Sequence, residues 1–115
     1  MVTPRRGDVF WVNLDPTIGS EIRKKRPAVV LSNDAANKRY YQVTVVPLTS
    51  QKTDLVEPFQ TLIHAEESGL TKDSKALAEQ IRTVSKLRLG SRAGHLSKET
   101  IDKVEEALKI HLDLV

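Results

Sequence analysis

Ala28-Val29-Val30-Leu31 and Gln42-Val43-Thr44-Val45-Val46-Pro47-Leu48 decide the fold. Both runs are apolar on both faces of an extended chain, and strands of that kind are covered from two sides. Working outward, Val9-Phe10-Trp11-Val12-Asn13-Leu14 reads as a strand before them, ended by the turn pair Asp15-Pro16. Its Phe10, Val12 and Leu14 share one face by alternation, which sends Trp11 towards a second layer or a partner. Between the two apolar runs, Ser32-Asn33-Asp34 starts a polar or helical turn. Glu57-Pro58 breaks the chain before a strand from Phe59 to His64, and Glu66 to Leu70 is a turn stopped by Gly69. Lys75 to Val84 is expected to be one further strand on the β-branching of Ile81, Thr83 and Val84, although Ala76-Leu77-Ala78 also suits a helix. Ser97 is a good N-cap for a closing helix whose stripe is Ile101, Val104, Leu108 and Leu112, with Lys and Glu opposite. The fold class is therefore mainly β with helices: short strands making a small, partly open barrel, with the C-terminal helix over an opening or an edge.

A chain of 115 residues is expected to form one domain over 1–115. It contains no cysteine, which excludes disulfide frameworks, thiolate zinc sites and thiol catalysis and fits a reducing cytoplasm. The N-terminal residues do not read as a signal peptide, and the longest apolar runs are too short to span a membrane. A net charge of +3 and a pI near 9.3 suggest an anionic partner only weakly; clustering says more.

The cations cluster in Gly19-Ser20-Glu21-Ile22-Arg23-Lys24-Lys25-Arg26-Pro27. Pro27 fixes its own φ and pushes Arg26 towards extended geometry, so a fixed guanidinium stands beside a basic loop. That arrangement suits a phosphodiester, with a solvated charged loop as the plain alternative. His64, His95 and His111 share no ligand spacing, and no phosphate-binding glycine loop, dinucleotide fingerprint or nucleophile elbow is present. Glu66-Glu67 and Glu105-Glu106 read as solvated faces. Two polar segments remain. Thr49-Ser50 follows Val45-Val46-Pro47-Leu48, where the hydroxyls could simply end the strand. In Ala78-Glu79-Gln80-Ile81-Arg82-Thr83, strand alternation would put Gln80 and Arg82 on one face and Glu79 on the other.

Arg6-Gly7-Asp8-Val9, Leu14-Asp15-Pro16, Gly19-Ser20-Glu21, Arg26-Pro27-Ala28-Val29-Val30, Asn33-Asp34, Val46-Pro47-Leu48-Thr49-Ser50 and Glu79-Gln80-Ile81-Arg82-Thr83 occur in that order. No single motif is specific, but the ordered set resembles the MazF/PemK family of toxin endoribonucleases from bacterial toxin–antitoxin pairs. The resemblance covers nearly the whole chain. It implies an SH3-like barrel acting as a homodimer in the cytoplasm and cutting single-stranded RNA at short sequences without metal or cofactor. The implied products carry 2′,3′-cyclic phosphate and 5′-hydroxyl ends. The implied partner is a MazE-like antitoxin with an acidic, partly disordered tail, and the complex with that antitoxin binds DNA.

In the branch this chain most resembles, the implied catalytic pair falls on Arg26 and Thr49. A second branch uses the acid before the Gln, here Glu79, with an Arg two residues earlier, where this chain has Leu77. Arg23, Lys24 and Lys25 are the expected phosphate clamps, and Glu21, Ser50, Gln80 and Arg82 are the other expected RNA contacts. A related fold can instead poison a DNA topoisomerase, and a silent relative can serve only as an antitoxin-binding repressor partner. Retention of both Arg26 and Thr49 argues for the enzyme.

Overall fold

The computed structural model describes residues 3–15, 19 and 25–114. In chain order its elements are β1 (Asp8–Asn13), β2 (Lys25–Val30), α1 (Asp34–Arg39), β3 (Gln42–Thr49), β4 (Gln60–Ile63), α2 (Ala65–Ser68), β5 (Ser74–Leu77), a 3-10 turn (Ala78–Gln80), β6 (Arg82–Ser85), a second 3-10 turn (Lys86–Arg88), β7 (Leu89–His95) and α3 (Lys98–Leu112). Asn33 caps α1, its side chain accepting the Ala36 N–H at 2.8 Å.

The doubly apolar strands form the centre, as their composition requires. One edge of β3 takes β2 in the register Ala28↔Pro47, Val29↔Val46 and Val30↔Val45. The other edge is divided. Gln42 to Val45 pairs with β6, while Leu48 and Thr49 pair with β5. Outside these, β1 pairs with β2 and with β7, and β4 pairs with β5. The sheet has seven strands and every pairing is antiparallel. Among the described residues no ladder joins β6 to β7, so the expected small, partly open barrel is realised in open form.

Alternation then sends the central side chains to two cores. Ala28, Val30, Val43 and Val45 join Phe10, Val12, Leu14 and Val84 inside the curl of the sheet. Val29, Val46 and Leu48 join Val9, Ile63, Ala76 and Leu96 beneath α3, which contributes Val104. Trp11 faces away from the inner core and is 41% exposed. In α3 the buried line runs through Thr100, Val104 and Ala107, with Ile101 and Leu108 partly buried beside it. Continuing that line reaches position 111, so Leu112, expected in the stripe, is left exposed.

Three further expectations are corrected. Lys75 to Val84 is not one strand. It is β5, a 3-10 turn and β6, because the chain must cross from the Leu48–Thr49 half of β3 to its Gln42–Val45 half. The alternation argument for Gln80 against Glu79 therefore does not pass through the turn. The 89–95 segment, to which the sequence reading assigns no element, is β7. There a Cβ on Gly94 would lie 2.4 Å from the Ser68 carbonyl oxygen, and one on Gly69, at φ +79°, would lie 2.0 Å from the Ala93 carbonyl oxygen. Two glycines thus let α2 and β7 touch backbone to backbone.

Glu67, the last of the three, is not a solvated carboxylate. It accepts the Ser97 N–H at 2.7 Å and the Thr100 hydroxyl at 2.8 Å, fastening α2 to the start of α3. Burial pushes its carboxyl up, but the Ser97 N–H, the Ser97 and Thr100 hydroxyls and His64 together hold it below its ordinary value. Asp73 is held low by the Ala65 N–H and by His64. Asp8, fully buried, accepts the Arg5 N–H at 2.8 Å and meets His95 Nδ1 at 2.8 Å and Arg92 Nε at 3.3 Å, locking the start of β1 to the end of β7. No helix among the described residues is long and apolar enough to cross a membrane.

Candidate nucleic-acid interface

Arg26 and Thr49 come together through strand register. The β2–β3 ladder last pairs Ala28 with Pro47, and continuing it by two residues sets Arg26 across from Thr49 on the same face. Directly opposed side chains in such a ladder stand about 4.5–5.5 Å apart at Cβ. On its other side Arg26 pairs with Val12 of β1. Both residues are half-buried, at the point where the inner core gives way to solvent. The Thr49 hydroxyl oxygen accepts the Gln51 N–H at 3.2 Å, which leaves its proton available to a ligand oxygen.

Two adjoining hollows lie nearby; Arg26 lines the smaller one and Thr49 lines neither. A small one of about 130 Å³ is lined by Trp11, Lys25, Arg26, Pro27, Leu48, Ser50, Lys72 and neighbouring residues. A larger cleft of about 670 Å³ continues from Trp11, Asn13 and Lys25 to the 87–91 segment, including Arg88. An exposed indole between Lys25, Arg26, Lys72 and Arg88 has the composition of a single-stranded nucleic-acid groove, with a flat face for bases and cations for phosphates. Lys72 and Arg88 gave no signal in the sequence, where each is an isolated turn residue. Only the fold brings them to the groove.

The remaining candidates fall in different places. Arg82 pairs with Val45 and donates from Nη1 to the Leu14 carbonyl at 3.3 Å. Arg88 donates to the carbonyls of Asn13, at 3.1 Å, and Asp15. These two guanidiniums brace the chain where it leaves β1 for the 16–24 connection. Glu21, Arg23 and Lys24 lie outside the described residues. Ser50 lines the small hollow, and Gln80 is half-buried at the end of the first 3-10 turn. Glu79 lines neither hollow. Its Oε2 accepts from Gln60 Nε2 at 2.8 Å, and its Oε1 is buried without a hydrogen bond among the described residues. Gln60 Oε1 in turn accepts the Glu57 N–H at 3.1 Å, so Glu79 supports the end of the connection into β4. Among the described residues no group of three or more His, Asp or Glu side chains is placed to hold a metal ion.

Residues 5–112 match the family described as PemK-like, MazF-like toxin of type II toxin-antitoxin system. The chain is 47% identical over 115 residues to endoribonuclease MazF9 of Mycobacterium tuberculosis, covering 96% of this chain and 97% of that protein. It is 40% identical over 111 residues to endoribonuclease EndoA of Bacillus subtilis, covering 96% of each. Its fold is similar, with a TM-score of 0.80 at 27% identity and 97% coverage of both chains, to an endoribonuclease from a mycobacterial species solved in complex with its cognate antitoxin.

Proposed function

This chain belongs to the PemK-like, MazF-like family of type II toxin–antitoxin toxins, and from that membership we propose that it is an endoribonuclease toxin cutting single-stranded RNA at a short sequence. The reaction needs no metal and leaves 2′,3′-cyclic phosphate and 5′-hydroxyl ends. The observation that carries this reading is the β2–β3 register, which continued past Ala28↔Pro47 brings Arg26 to Thr49 at the margin of a cation-rich groove that Arg26 lines.

RNA supplies its own nucleophile, the 2′-hydroxyl, so the protein has three tasks: to help remove that proton, to stabilise the charge of the pentacoordinate phosphorus and to protonate the leaving 5′-oxygen. Arg26 holds the phosphoryl oxygens with paired N–H donors, and Thr49 donates one more hydrogen bond. Arginine is a poor general base, since deprotonating one near neutrality costs about 7–9 kcal/mol. That exceeds the roughly 10²–10⁴-fold return of base catalysis. Arg26 therefore serves charge stabilisation and acid catalysis. The candidate bases are Glu21 and Glu79, the latter with its Oε2 engaged by Gln60, or the enzyme is slow and has none.

The partners follow from the same groove. The protein acts as a homodimer in the cytoplasm, and an acidic antitoxin tail crosses the Arg23–Arg26 segment to shut the site. A neighbour solved in complex with its cognate antitoxin supports an antitoxin as the partner. The test is incubation of purified protein with a long single-stranded RNA in EDTA, with primer extension to map cuts and end-group analysis of the products. Discrete cuts with cyclic-phosphate ends are expected. Intact RNA would overturn the reading in favour of a topoisomerase-directed or silent relative.

A further inference from the structure

Lys75 is buried, with 6% exposure, in β5. Strand pairing sets it directly across from Thr49, towards which the β2–β3 register, continued past Ala28↔Pro47, also brings Arg26. Its ammonium donates to the backbone carbonyl of Leu55 at 2.7 Å. Leu55 belongs to the 50–59 connection, which Thr49 already fastens at its start through the Gln51 N–H and Gln60 fastens at its end through the Glu57 N–H. Held at these points, the connection presents Leu55 and Val56 to solvent, 57% and 39% exposed. A buried ammonium is costly in a sheet that an apolar side chain of the same length would fill, so its presence here calls for a purpose beyond packing.

We propose that Lys75 is a positioning residue of the RNA-cutting site, clasping the Leu55 carbonyl so that the 50–59 connection stands in one conformation beside Thr49 and selects the bases cut. The proposal rests on the endoribonuclease reading above. Single-stranded bases are read in pockets built from such loops, and a loop ordered in advance spares the binding step that ordering cost.

The test compares wild type, Lys75→Met and Lys75→Arg by hydrogen exchange and by cleavage mapping. In Lys75→Met the amides of Gln51 to Glu57 should exchange about tenfold faster or more. KM should rise about tenfold with kcat at saturating RNA nearly unchanged, and cuts should spread to secondary sequences. Lys75→Arg, which keeps a cationic donor, should retain loop protection and site choice. If Lys75→Met does not fold, Lys75→Gln is read in the same assays. Unchanged loop exchange in the uncharged variant, or faster exchange with an unchanged cleavage pattern, overturns the inference. If wild type itself leaves RNA intact, the functional reading fails instead, and exchange still reports whether the clasp exists.

Discussion

Pro27 follows Arg26 directly and Pro47 precedes Thr49 by two residues, so each side chain leaves the sheet from a strand end with little backbone freedom. Arg26→Ala should abolish cutting while the protein melts as wild type does, because the side chain stands at the edge of the core. Arg26→Lys should also be poor, since an ammonium lacks the planar paired donors; cleavage at near wild-type rate would remove the bidentate role. Thr49→Val keeps the volume and loses the donor, which should slow single turnover by about 10²–10³-fold. Unchanged turnover would reduce Thr49 to a strand terminator. Arg26 and Thr49 stand out in the sequence because each lies within two residues of a proline at the end of an apolar run. Lys72, Lys75 and Arg88 do not, because their importance comes from partners 20 or more residues away, such as Leu55 for Lys75 and Asn13 for Arg88.

Glu67 shows how elements are held to one another by single side chains. Its folded-state carboxyl is depressed, so its contribution is present above the unfolded value, about pH 4.3, and is lost as pH falls through the lower folded value. Thermal melts of wild type and Glu67→Gln should therefore differ most near neutrality and converge as acid is added. A difference that persists to low pH would mean that the charge is not the tether. The helix α3, its Ser97 cap and the three central strands were legible because local periodicity and capping determine them. β7 was not, since its Gly94 serves contact with α2 and its residues are exposed or half-buried. The break between β5 and β6 was hidden for another reason: it answers to the two halves of β3, some thirty residues away, and not to its own composition.

Taken as a whole, the molecule sets a basic groove against a chain of modest net charge, so binding should be salt-sensitive while folding is much less so. Neutralising Arg23, Lys24 and Lys25 together should weaken single-stranded RNA binding and flatten its log–log salt dependence by about 0.7 per lost contact, with kcat at saturation preserved. A fall in kcat with unchanged affinity would place these residues in the chemistry. Saturating antitoxin should compete with RNA and protect amides near Gly19 to Lys25; unchanged RNA affinity would show that inhibition works elsewhere. One pairing also bears on the protein's synthesis. β1 takes its second neighbour from β7, with Asp8 and His95 joined across 87 positions of sequence. On the ribosome, where about 5–20 residues are added each second, β1 keeps one bare edge until β7 emerges. The nascent chain thus spends seconds without its finished sheet, and the cleft between Trp11 and the 87–91 segment exists only once that interval ends.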